Sequence, residues 1–243
     1  MTSYPPDSPQ AWFTNWWITD KDRARMRGRV LWAFVPHVSQ VPSVLVTEGR
    51  SEPTDHTKAN YRIEPLRAAS PPRAPRMPVA ALHEVPGELR GVYKAKKRPV
   101  LVISADRDVV QKPLLLGSAK WQTDPTILVA PYYGADTNAS RSGFKPEFIE
   151  RIRRCEYRQY MWDRVPLPGA NESILRFDHI QPIGANHDSY EWTDHCLSDE
   201  AMIFVDNYIS WCIEGAYQPD SSLALTLELI AESMAIGAPT PAP

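Results

Sequence analysis

Apolar and polar residues alternate with a period of two in several short runs of this chain, and with a helical period mainly near its end. GRVLWAFV (28–35) is a run of β-branched and aromatic residues stopped by Pro36, and it reads as a strand. RPVLVIS (98–104) and TILVAPYY (126–133) are further apolar runs of strand length, with VPSVLVTE (41–48) and VAALHEV (79–85) weaker candidates. SILRFDHIQPI (173–183) reads as one alternating strand. Leu175 and Phe177 fall on one face, Arg176 and Asp178 on the other. At the rise of a strand those two charged groups stand about 7 Å apart. His179 then points away from Arg176, as a core or interface histidine more readily than a catalytic one.

Helical spacing predicts four further elements. Pro146 opens EFIERIRRCEYRQYMW, which puts Phe148, Ile152 and Cys155 on one side and Arg151, Arg154 and Arg158 on the other. Ser198 caps a helix with Asp199 and Glu200 in its first turn, an apolar stripe of Met202, Val205, Ile209 and Cys212, and Gly215 at its end. A second helix spans 222–236 on Leu223, Leu227, Ile230 and Met234. AWFTNWWITDKDRARMR (11–27) reads as a short amphipathic helix that docks its indoles on the body. Short strands, long connections and late helices predict an α+β, mainly β fold: a small antiparallel barrel-like sheet with packed helices.

Composition narrows the class. The 243 residues carry a formal charge of −2, so any footprint for a polyanion must be local. Three scattered cysteines make no disulfide framework and no zinc motif, and a reducing cytoplasm suits them. No apolar run is long enough to span a membrane, and the N-terminus lacks the pattern of a secretory signal. Proline concentrates in the first ten residues, in 53–78 and in the last five. GRSEPTDHTKANYRIEPLRAASPPRAPRMP (49–78) therefore reads as an irregular or disordered insertion. GxGxxG, P-loop, HExxH and GxSxG motifs are absent.

GRVLW, RPVLVIS and ILVAP, in that order, resemble the opening strands of the MazF/PemK/Kid toxins of type II toxin–antitoxin systems. PGELRG (86–91) resembles the Glu-containing loop before the Arg-Pro of that family. GADTNASRSGF resembles the loop after its third strand, SILRFDHIQPI its Arg-x-Asp strand, and LSDEAMIFVDNYI its C-terminal helix. The resemblance covers 28–36 and about 86–215 and implies an SH3-like barrel. Residues 1–27 are then an N-terminal arm, 28–215 the barrel with an insertion at about 37–80, and 216–243 an extra helix and tail. The resemblance also implies a homodimer, a cognate antitoxin, and cleavage of single-stranded RNA without metal or other cofactor.

That chemistry needs a base for the 2′-hydroxyl, an acid for the leaving 5′-oxygen, and a cation for the charge on phosphorus. By resemblance Arg98, Arg176 and Asp178 match the family's catalytic residues, Asp178 as base, Arg176 as acid or phosphate clamp, and Arg98 as charge stabiliser. The same three residues also read as structural ion pairs. Family members place Thr or Ser where Tyr133 stands, so Thr137, Ser140 or Ser142 are alternative hydroxyls. His83 matches a histidine found in some members. Lys96 and Lys97, with Lys94, are candidate phosphate contacts or a solvated loop, and Tyr132 and Tyr133 are candidate base-stacking rings or packing residues. The rival class is a catalytically silent binding module, like the related CcdB toxins, or a subunit of a larger defence assembly.

Overall fold

A computed structural model describes residues 4–50, 52–55, 57–70, 87–105, 108, 110–118, 123–135, 143–169 and 172–237. The chain divides into two compact units, one of Met1–Ala33 with Lys97–Pro243 and one of Phe34–Lys96. The fold is α+β and mainly antiparallel.

The first unit is built on a sheet ordered β1-β11-β2-β6-β7-β9-β8, from β1 (Trp17–Thr19), β2 (Arg29–Pro36), β6 (Ala95–Ser104), β7 (Thr126–Gly134), β8 (Tyr160–Asp163), β9 (Ser173–Arg176) and β11 (Tyr190–Leu197). β10 (Gln181–Gly184) pairs with β7 beyond β9. Among the described residues the sheet is an open path ending at β1 and β8, not a closed barrel. Val30, Leu31, Leu101, Val129, Ala130 and Leu175 are almost wholly buried, as their β-branched and apolar runs predict.

The predicted capped helix is α2 (Asp199–Glu214). The Ser198 hydroxyl accepts from the Ala201 amide at 3.1 Å, and Gly215, at φ +81°, ends the helix in the left-handed region. Ser198→Ala is expected to cost about 1 kcal/mol. A thermal melt lowered by roughly 2–4 °C would show it. α2 buries Met202, Phe204, Val205 and Tyr208, and α3 (Ser222–Gly237) buries Leu223 and Ile230 but leaves Met234 exposed.

Three expectations about local structure change. Residues 11–27 form no helix; a 3₁₀ turn at Pro9–Trp12 and the short strand β1 take their place. Trp16 is buried there, whereas Trp12 stays exposed. The predicted helix from Pro146 stops after two turns as α1 (Pro146–Arg153). Cys155 then turns with φ +57°, and the rest of that run becomes β8. Arg154 and Arg158 therefore share no helix face with Arg151. The stretch read as an irregular insertion is partly ordered. β4 (Asn60–Pro65) pairs with β3 (Ser43–Gly49), which also pairs with β5 (Arg90–Val92), and Val44 and Val46 form the buried face of this second unit. The strand expected at 79–85 lies outside the described residues.

Candidate functional site

β7 turns Tyr132 inward and Tyr133 outward, as strand alternation requires. Tyr132 is almost wholly buried and donates to Asp163 Oδ2 at 3.2 Å, so the expectation that it stacks on bases is withdrawn. Tyr133 is half-buried and sits among charged groups from neighbouring strands. The Arg98 guanidinium of β6 stands 4.2 Å from its ring centroid. The Arg176 guanidinium of β9 stands 5.6 Å from that ring and 5.1 Å from the Tyr160 ring on β8.

SILRFDHIQPI is not one strand. β9 ends at Arg176, a 3₁₀ turn spans Phe177–His179, and β10 begins at Gln181. The backbone takes six steps from Leu175 to Gln181 where β7 takes three from Tyr132 to Val129. The surplus loops out of the ladder, a device that re-aims side chains. Phe177 stays buried, as the alternation predicts. Asp178 and Arg176, expected about 7 Å apart, instead meet in a two-point ion pair, with Arg176 Nε on Oδ1 at 2.9 Å and Nη2 on Oδ2. His179 does not point away. Its Nδ1 shares a hydrogen bond of 2.8 Å with the Tyr133 hydroxyl, and the two rings meet edge-on.

The electrostatics follow from this packing. Burial pushes the Tyr133 phenol up; Arg98 and Arg176 pull it back, Asp178 adds to the rise, and the net direction is upward. Tyr133 is thus a neutral hydroxyl at neutral pH. Burial works against the charge on Arg176, but the Asp178 carboxylate more than offsets it and holds the guanidinium above its ordinary value. A hydroxyl, an imidazole, a carboxylate and two guanidiniums therefore share one partly solvated site. That set can exchange protons and hold an anion at the same place.

Other sequence candidates fall elsewhere. Lys97 is exposed and pairs with Glu191 at 2.6 Å. Lys96 and Lys94 are exposed and belong to the second unit. Thr137, Ser140, Ser142 and His83 lie outside the described residues. Among the described residues no group of three His, Cys, Asp or Glu is placed to hold a metal ion. No helix among them is long and apolar enough to cross a membrane.

Sequence reasoning missed Tyr160 as the second ring beneath Arg176, and it misjudged His179. It also missed Asp163, a buried carboxylate that accepts from the Trp16, Trp17 and Tyr132 side chains and the Arg164 amide. One signal was available. Asp163 is the single acid in the apolar run YMWD, and a buried carboxylate needs donors such as the indoles of the chain. Compared with known proteins, the chain matches no family model, and no curated protein matches it.

Proposed function

We propose that this protein is a toxin-like endoribonuclease that cleaves single-stranded RNA by acid–base chemistry, an enlarged relative of the MazF/PemK/Kid toxins. Its open sheet is then a widened version of their SH3-like barrel. The observation that carries this reading is the convergence of Arg98, Tyr133, Arg176, Asp178 and His179. These residues come from three segments singled out by the resemblance. A homodimer and an antitoxin that covers the site belong to the same proposal.

In this reading the two guanidiniums grip the scissile phosphate and steady the charge that builds on its oxygens. Asp178, the base that the resemblance implies, has both oxygens on Arg176, and in this reading it positions that guanidinium instead. Tyr133 takes the place of the family's Thr or Ser. Its hydroxyl relays protons to and from the His179 imidazole, with which it shares a hydrogen bond of 2.8 Å. The 2′-hydroxyl passes its proton through the Tyr133 hydroxyl to His179, and its oxygen attacks the adjacent phosphorus. The P–O5′ bond breaks, the leaving oxygen takes a proton back from His179 by the same relay, and a 2′,3′-cyclic phosphate results.

The test is cleavage of a mixed-sequence single-stranded RNA by purified protein. Arg98→Ala is expected to lower kcat/KM by about 10²–10³-fold. His179→Ala is expected to lower it by about 10²-fold or more. Wild type that cuts no RNA, or an Arg98→Ala variant that cuts equally well, sinks the proposal. The engagement of both Asp178 oxygens by Arg176 favours the second reading, a catalytically silent module that acts through protein contacts; folded wild type that cuts no RNA is its signature.

A further inference from the structure

We infer that the surface aromatic row Tyr160, Tyr157, Phe148 and Phe144 is a base-stacking track, along which a single RNA strand leaves the Arg98–Tyr133–Arg176 site. The inference rests on the nuclease reading of that site and extends it to a substrate subsite. The row begins at the site itself, because Arg176 lies over both Tyr133 and Tyr160. Phe148 stands 5.9 Å from Tyr160 and 5.4 Å from Tyr157, Tyr157 stands 6.2 Å from Tyr160, and Phe144 continues the row 5.7 Å beyond Phe148. Arg151 sets a guanidinium 5.1 Å from the Tyr157 ring.

The row differs from the aromatic cluster beneath α2. Trp16, Phe204 and Tyr208 are buried and fill the space beneath α2. Tyr160, Tyr157 and Phe148 only flank a small core, and Phe144 is 42% exposed. The Arg176 and Arg151 guanidiniums at these rings suit a partner that carries anionic groups. Rings interleaved with guanidiniums, leading from an anion-gripping site, match a chain of phosphates and unpaired bases. Arg151 also pairs with Glu156 in an exposed ion pair, which is weak enough to yield to a phosphate.

The experiment measures fluorescence anisotropy of a labelled 12-nucleotide RNA carrying 2′-O-methyl groups, which block cleavage, and of its duplex. Phe144→Ala and Tyr157→Ala are expected to weaken single-strand binding by about 5- to 100-fold each. Tyr157→Phe keeps the ring and is expected to bind like wild type. The duplex, whose bases are already stacked, is expected to bind more weakly than the single strand. Circular dichroism melts of the variants verify that they remain folded. Alanine variants that bind as tightly as wild type overturn the track, as does wild type that binds neither oligonucleotide. Weakened binding by the alanine variants of a protein that cuts no RNA supports the track and rejects the nuclease reading alone.

Discussion

Asp163→Ala is expected to lower the unfolding free energy by about 3–5 kcal/mol, more than any single substitution at the surface site. Asp163 is fully buried at the end of β8, and it is the acceptor on which the N-terminal arm converges. Trp16 Nε1 donates to it at 3.1 Å, Tyr132 Oη at 3.2 Å, Trp17 Nε1 at 3.4 Å and the Arg164 amide at 2.7 Å. Indole N–H and backbone amide groups can only donate, so alanine strands them. Each buried donor left unpaired costs about 1–3 kcal/mol. Urea unfolding checks the figure, and a loss below about 1 kcal/mol would mean that water or other acceptors replace the carboxylate.

The same residue makes stability depend on pH in an uncommon direction. Burial pushes its carboxyl from 3.8 up to about 6, and the surrounding donors limit the rise. The folded protein therefore holds this proton more tightly than the unfolded chain does. The contribution is fully present below the unfolded value, and it is lost as pH rises through about 6. Wild type should thus lose ground to Asp163→Asn between about pH 4 and pH 6, by an amount of order 3 kcal/mol. A wild type–variant difference that stays flat across that range contradicts the assignment.

Arg29→Ala is the second large effect, with an expected loss of about 3–4 kcal/mol. The side chain has no exposure. Its Nε donates to the Arg25 carbonyl at 2.7 Å, Nη1 donates to the Thr193 carbonyl at 2.7 Å, and Nη2 meets the Asp20 carboxylate. The guanidinium also lies 5.3 Å from the Trp192 ring. One planar fork thus ties β2 to β11 and to the segment after β1. Arg29→Lys keeps the charge but not the fork, so it should recover only part of the loss. Equal stability of the lysine variant and wild type would show that charge alone matters there.

Legibility in the sequence tracked the range of the interaction involved. The strands at 28–35, 98–104 and 126–133 were readable because burial on one or both faces leaves a local apolar pattern. The helix after Ser198 was readable from cap to Gly215, because a cap, a stripe and a C-terminal glycine lie within one short window. Arg98, Arg176 and Asp178 were singled out by resemblance, and Leu175 and Phe177 were placed inside by alternation. The turn at Phe177–His179 was not readable, since a looped-out run beside β7 leaves the in–out sorting of Leu175 and Phe177 intact. Its consequence, His179 against Tyr133, was therefore read with the wrong face.

The sequence by itself determined the strands β2, β6, β7 and β9 and the late helices, and that a basic and an acidic residue stand two positions apart at 176 and 178. Tertiary structure alone decided what those residues meet. It joined Arg176 to Asp178, set Tyr133 between two guanidiniums, and brought Trp16, Trp17 and Tyr132 to Asp163. Periodicity reports which side of an element is dry, a property of neighbours a few residues apart. The partner of a buried carboxylate or a looped-out imidazole lies tens of residues away, and only the packing of distant strands selects it.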